Sequence, residues 1–248
     1  MNNLPVDAVF LDLDATILDE GYVVAASLAA CRVIAAENPE LDALALARAN
    51  YEVWDAYWPE IELGWVLGTV STDDLRHETW HRTLDRFGAS SEKLIARASA
   101  VHHEFELAEY LPFDDVVPLV DELRGRGVRL VVITNGASDV QREKLDVLGL
   151  TDRFDGIIVS GELGIEKPDP RIFDAALAVA GVSADRAVHV GDSLRSDIGG
   201  ALASGITAVW LNRTGAVRGP ADPQPDLEIG SLDELIDALI TPAVDNRP

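Results

Sequence analysis

Five short apolar runs recur along the chain, at 6–11, 128–133, 156–159, 187–190 and 206–211. They are near-continuous rather than alternating, the pattern of strands buried on both faces of a parallel sheet. Helix-period patterns separate the later runs, over 114–126, 138–149, 170–181 and 195–204. A final apolar helix is expected over 231–240, after the Gly/Pro-rich stretch RTGAVRGPADPQP. Strand–helix alternation of this kind predicts an α/β fold with a doubly wound parallel sheet.

The first run breaks that rhythm. The segment between it and the run at 128 is far longer than one crossover helix requires. Its helical patterns cover 22–37, 41–58, 72–88 and 91–109. Leu44, Ala47, Tyr51, Trp54 and Trp58 step by three and four and make one helix face. That stripe is expected to pack inside the insert, or against a second copy of it. STDDL at 71–75 and SSEKL at 90–94 read as helix starts, a Ser cap followed by acids. The chain therefore divides into an α/β core, residues 1–19 and 111–248, and an all-helical insert over 20–110.

Composition narrows the possible partners. There are 43 acids against 20 bases, a net charge of −23. Such a surface repels nucleic acid and anionic membranes. Only three of the bases are lysines, Lys93, Lys144 and Lys167. High acid with low lysine fits either a salt-rich cytoplasm or a GC-rich genome with an acidic surface. Cys31 is the one cysteine, so an intrachain disulfide is impossible. It falls in an apolar helical pattern and should pack as a small hydrophobe. The first basic residue is Arg32, which gives no signal-peptide pattern. The longest apolar stretch, 23–36, is broken by Ser27 and Arg32 and falls short of the roughly 20 residues that span a bilayer. A cytoplasmic protein, monomeric or homodimeric, is expected.

In an open parallel sheet, ligands bind beyond the carboxyl ends of the strands. The first run is followed by Asp12, Asp14 and Thr16, and the run at 128 by Thr134, Asn135 and Gly136. Beyond the run at 156 comes Lys167, in GIEKPDP; beyond that at 187 come Gly191, Asp192, Ser193 and Asp197. Each group alone has an ordinary explanation. Paired acids cap helices, TNG makes turns, a lysine is usually solvated, and GDS can be a turn and cap. Together, four separate loops bring phosphate or metal chemistry to one edge of one sheet.

The combined set resembles the haloacid dehalogenase superfamily, in its phosphatase branch with a helical cap, over nearly the whole chain. The family's D-x-D-x-T after a hydrophobic strand matches Asp12, Asp14 and Thr16. Its strand-terminal Ser/Thr matches Thr134, and its Lys-Pro matches Lys167-Pro168. Its glycine–aspartate motif with a later acid matches Gly191, Asp192 and Asp197. Ala15 stands where the family often has Gly. The insert resembles the family's first cap type.

The resemblance implies a Mg²⁺-dependent phosphatase acting on a small phosphomonoester, such as a sugar phosphate, phosphoglycolate or nucleotide, through an aspartyl-phosphate. That chemistry needs a nucleophile, a proton for the leaving oxygen, charge neutralisation and a shielded site. Asp12 is the expected nucleophile. A carboxylate facing a phosphate dianion needs a cation between them, and Mg²⁺ prefers oxygen ligands. Asp12 and Asp192 are the expected side-chain ligands, and the resemblance adds the backbone carbonyl of Asp14. Asp197 is expected to orient a metal-bound water or Lys167. The Asp14 side chain remains for proton transfer, its pKa raised by a neighbouring carboxylate and by partial burial. Lys167, Thr134 and the N–H groups of Asn135 and Gly136 should bind phosphate oxygens, with the Asn135 side chain as a further donor. Thr16 should orient Asp14 or cap a helix.

Asp14 also separates chemistries. By resemblance, dehalogenases of the superfamily carry no acid two residues after the nucleophile, because no alkoxide leaves. A phosphomutase, a 2-haloacid dehalogenase, which Asp14 disfavours, and a non-catalytic binding protein on the same fold stay open as alternatives to the phosphatase. In the insert, Tyr51, Trp54, Trp58, Trp65 and Trp80 are expected to pack, and His102 and His103 to be solvated.

Overall fold

The computed structural model describes residues 6–240; the outermost parts of the expected core, 1–5 and 241–248, lie outside the described residues. Strands β1 (Ala8–Leu11), β2 (Arg129–Thr134), β3 (Gly156–Val159), β4 (Ala187–Gly191), β5 (Thr207–Leu211) and β6 (Leu227–Ile229) form one sheet. Their order is β3-β2-β1-β4-β5-β6, and every neighbouring pair is parallel. Phe10 of β1 pairs with Val131 on one side and His189 on the other. The chain winds outward from β1 in both directions, which puts the crevice for a ligand at the ends of β1, β2 and β4.

Successive side chains of β1 enter opposite cores. Val9 and Leu11 join Leu130, Val132, Val188 and Val190 under α5 (Val116–Gly125) and α10 (Leu232–Ile240). Ala8 and Phe10 join Val131 and Ile133 under α8 (Pro170–Ala180) and α9 (Gly199–Ala203). Both faces are covered, which is why the run reads as continuously apolar. Helices α6 (Ser138–Val147) and α7 (Ser160–Leu163) follow β2 and β3 directly.

Four helices leave the sheet after β1: α1 (Tyr22–Glu37), α2 (Ala43–Val66), α3 (Thr72–Asp85) and α4 (Glu92–Glu109). The side chains of Ser71 and Ser91 accept from the N–H groups of Asp74 and Leu94, the caps expected from sequence. These helices enclose their own apolar cluster around Cys31, Ile34, Leu46, Trp80, Leu84, Ile95 and Val101. The outgoing and returning chains run side by side. Asp19 N–H donates to Leu111 O and Phe113 N–H to Ile17 O, both at 3.0 Å. None of the helices among the described residues is long and apolar enough to cross a membrane.

Several boundaries differ from expectation. β1 begins at Ala8 rather than at residue 6, and α3 and α6 end earlier than the patterns suggest. The helix expected over 195–204 is a wide π turn, Leu194–Ile198, followed by α9. β6 was not expected; its three residues are too short to show a pattern. α2 runs on through Pro59 to Val66 rather than stopping at residue 58. The stripe on α2 also faces elsewhere. Leu46, Ala49, Asn50 and Val53 are buried, whereas Leu44, Tyr51 and Trp54 are exposed. The inner face hides a polar residue: Asn50 accepts from Ser27 Oγ at 3.0 Å and donates to Thr83 Oγ1 at 3.2 Å. A buried amide so satisfied costs little, but it breaks the hydropathy pattern. The aromatic residues stack along the helix instead, Trp54 on Trp58 at 5.0 Å and Trp58 edge-on to Trp65 at 5.4 Å.

Candidate active site

Asp12 continues the β1 ladder by one bond, its N–H donating to Val190 O at 3.0 Å. The chain then turns sharply. Ala15 takes φ 56°, and Ile17 and Leu18 both donate to Leu13 O at 2.8 Å. A left-handed alanine costs on the order of 1 kcal/mol, which glycine would avoid. The turn aims Asp12 and Asp14 in different directions.

Asp12 faces a buried ammonium. Lys167 Nζ lies 2.6 Å from Asp12 Oδ1 and 2.7 Å from Asp197 Oδ1. Asp197 Oδ1 also meets His189 Nε2 at 3.0 Å, and its Oδ2 accepts from Ser193 N–H at 3.0 Å. Gly191 makes room for this carboxyl, because a Cβ there would stand 2.3 Å from Asp197 Cγ. Carboxylate oxygens of Asp12, Asp192 and Asp197 lie within 4.8 Å of one another. Burial and the two other acids push the Asp12 carboxyl well up, against the pull of Lys167. Desolvation and the Asp197 charge push Asp192 up to about 6. Burial works the same way on Asp197, but Lys167 and His189 overcome it and hold that acid low. Burial disfavours the Lys167 ammonium, and Asp12 and Asp197 more than restore it.

Asp14 points to α6. Its Oδ1 accepts from Lys144 Nζ at 2.6 Å and its Oδ2 from Gln141 Nε2 at 2.7 Å. The group paired with it is thus an ammonium, where sequence reasoning expected a second carboxylate. Gln141 Nε2 also donates to Thr134 Oγ1, and Gln141 Oε1 accepts from Lys144 Nζ at 2.9 Å. Neither Gln141 nor Lys144 was singled out from sequence. Two signals were available: the rarity of lysine, and a Gln–Lys pair three residues apart on the helix after TNG.

Three expected roles change. The Asn135 side chain does not face outward as a donor. It donates to Lys167 O at 3.1 Å and accepts from Lys167 N–H at 2.9 Å. Gly136 N–H is engaged by Ser160 Oγ at 2.9 Å. Thr16 Oγ1 is buried without a hydrogen-bond partner, so it neither bonds Asp14 nor caps a helix.

The end of α2 forms one wall. Ser160 Oγ donates to Val66 O at 2.5 Å, and Trp65 stands so close to Gly136 that a Cβ there would be 2.8 Å from its ring. Trp65 Nε1 donates to Thr72 Oγ1 at 3.1 Å, which donates in turn to Asp139 Oδ1 at 3.2 Å. His102 and His103 are not solvated as expected. His102 Nδ1 accepts from buried Trp80 at 3.2 Å, and His103 Nε2 pairs with Glu143 Oε1 of α6 at 3.3 Å. Both sit against Glu106, which draws histidines and Arg76 into one partly buried cluster.

An acid–lysine pair thus lies at the switch point of a doubly wound sheet, beside a further acid held by α6. The model of the haloacid dehalogenase-like hydrolases matches residues 6–205, which include the loops after β1, β2, β3 and β4 that carry these residues. The chain belongs to that family. A phosphoserine phosphatase of Thermus thermophilus is 38% identical over 162 residues, 64% of this chain and 63% of that protein. An N-acylneuraminate-9-phosphatase of Mus musculus is 31% identical over 93% of this chain and 92% of its own. A solved 2-haloacid dehalogenase of Pseudomonas syringae matches with TM-score 0.66 at 31% identity, over 94% of this chain and 98% of that one. The family and the phosphatases among these relatives support a phosphoric monoester hydrolase.

Proposed function

We propose that the chain is a Mg²⁺-dependent phosphatase that moves the phosphoryl group of a small phosphomonoester first to Asp12 and then to water. The observation that carries this reading is the division of labour between the two acids that follow β1. Asp12 sits in a buried acid cluster against Lys167, while Asp14 is held apart by Lys144 and Gln141. A nucleophile and a proton carrier need such different surroundings.

The acid cluster suits a divalent cation. When all three are ionised, Asp12, Asp192 and Asp197 face one ammonium, Lys167, which leaves two negative charges for a cation to neutralise. Both oxygens of Asp197 are engaged by hydrogen bonds, whereas none engages Asp12 Oδ2 among the described residues, and the Asp192 carboxylate is met by its own backbone N–H. Asp12 and Asp192 would therefore hold the ion, with the Asp14 carbonyl, and Asp197 would orient Lys167. These are hard oxygen donors, as Mg²⁺ prefers. Bound there, the ion supplies the positive charge that lets a phosphate dianion approach a carboxylate.

The chain's own groups do the rest. Lys167 neutralises Asp12 and an incoming phosphate oxygen as a point charge. Thr134 Oγ1 and the Asn135 N–H meet the other non-bridging oxygens. Asp14 gives a proton to the leaving oxygen and later takes one from the attacking water. The insert acts as a cap: Trp65 and the end of α2 close over the phosphate loop and exclude water. A haloacid substrate would have no use for Asp14, which favours the phosphatase over the dehalogenase chemistry of the Pseudomonas relative. The substrate class is a sugar phosphate, phosphoglycolate or nucleotide, and the setting is the cytoplasm.

Asp12→Asn tests the reading. It should abolish release of phosphate from 4-nitrophenyl phosphate while leaving the circular-dichroism spectrum unchanged. Retention of substantial activity would sink the assignment.

A further inference from the structure

We infer that Gln141 and Lys144 are positioning residues of the reaction, which hold the Asp14 carboxylate in place and tie it to the phosphate-binding Thr134. The inference rests on the roles proposed above for Asp12 and Asp14.

The two residues lie three apart on α6 and so share one face. Both are buried, Gln141 fully and Lys144 to 4% exposure. Burying an ammonium is costly unless it is paired, and an apolar residue would serve a purely structural helix face better. Here the pairing is specific. Each oxygen of Asp14 is held by a different donor, Oδ1 by Lys144 and Oδ2 by Gln141. The carboxylate cannot rotate about its own axis without breaking a short, charge-assisted bond. Lys144 also donates to Gln141 Oε1, which fixes the amide so that its nitrogen faces both Asp14 and Thr134. Asp14, in the turn after β1, and Thr134, at the end of β2, are thereby placed relative to each other through one side chain. Each Asp14 oxygen keeps a second lone pair, so the hold does not consume its contact with a substrate.

During phosphoryl transfer, the bond from phosphorus to the leaving oxygen breaks and a bond from phosphorus to Asp12 forms. Asp14, protonated on the lone pair that faces the substrate, passes that proton to the leaving oxygen and is left as the carboxylate that Lys144 and Gln141 hold. A misplaced Asp14 should therefore hurt most where the leaving group needs that proton. 4-Nitrophenolate leaves readily without one, whereas phenolate does so poorly. The parameter kcat/KM reads only the steps through departure of this group, which excludes the common hydrolysis of the intermediate.

The test is kcat/KM of wild type, Lys144→Met, Gln141→Leu and Asp14→Asn on 4-nitrophenyl phosphate and phenyl phosphate. We expect K144M and Q141L each to lose about ten-fold more on phenyl phosphate than on 4-nitrophenyl phosphate, the scale of a partly lost general acid. D14N should show the same preference, and K144M added to D14N should cause no further loss. Equal losses on the two substrates, or full additivity with D14N, would overturn the positioning role. If K144M does not fold, Q141L is read alone in the same way. A wild type inert on both esters would instead overturn the phosphatase reading, and this inference with it.

Discussion

The Asn135 side chain and the Lys167 backbone close a ring of two hydrogen bonds, at 3.1 and 2.9 Å. The loop that carries the buried ammonium is thus pinned to the loop that carries Thr134. Asn135→Ala removes both bonds and leaves the backbone groups of Lys167 without these partners. It should cost about 1–3 kcal/mol of stability and lower kcat about ten-fold, because the ammonium loses its fixed position. Urea unfolding and steady-state kinetics on 4-nitrophenyl phosphate check both; an unchanged kcat would contradict the pinning.

Ser160 links insert and core. Its hydroxyl donates to Val66 O and accepts from Gly136 N–H, and the residue is fully buried. Ser160→Ala leaves a carbonyl on one side and an N–H on the other unsatisfied, at about 1–3 kcal/mol for each such group. We expect a lower melting temperature and a KM that rises more than kcat falls, since the wall formed by α2 loosens. An unaltered melting curve would show that the link is idle.

Glu106 should make the insert sensitive to acid. Burial opposes its charge, yet His103, His102 and Arg76 hold its carboxyl down at about 2. A depressed acid contributes stability that is complete above its unfolded value of 4.5 and lost as pH falls toward about 2. Glu106→Gln should therefore be less stable than wild type at pH 7, and the gap should close in denaturant melts taken between pH 4.5 and 2. A gap that does not vary with pH would contradict this origin.

A cation in the acid cluster should be visible in stability as well as in turnover. At Mg²⁺ a hundred times its Kd, linkage predicts about 2.7 kcal/mol, roughly 5–10 °C for a chain of this size. Asp192→Asn should abolish most of that shift, and a chelator should reverse it in wild type. Equal shifts in wild type and D192N would place the ion elsewhere.

The acids, Thr134 and Lys167 were legible in sequence because each follows an apolar run, and strand ends converge in a parallel sheet. Gln141 and Lys144 were not. A polar pair on one turn of a helix reads as a solvated face, and only the packing of α6 against the end of β1 turns that face inward. Asn50 shows the same blindness from the other side, a polar residue at a buried position whose partners, Ser27 and Thr83, lie on different helices. The histidines were misjudged for a like reason: their partners, Trp80 and Glu143, are distant in sequence. Side chains that follow strand ends can be inferred from the topology of the sheet; those that bond from the faces of helices need the fold.

The antiparallel bonds between Asp19 and Leu111 and between Phe113 and Ile17 have a wider consequence. Seen from the sheet, everything from residue 20 to residue 110 is the tip of one hairpin. Its length and content can change without moving either end of the graft, so what covers the carboxyl edge of the sheet can change apart from the acids at the strand ends. Joining the two stem strands by a tight turn would leave a self-contained α/β unit with its carboxylates open to solvent, free to accept esters too bulky for the covered form.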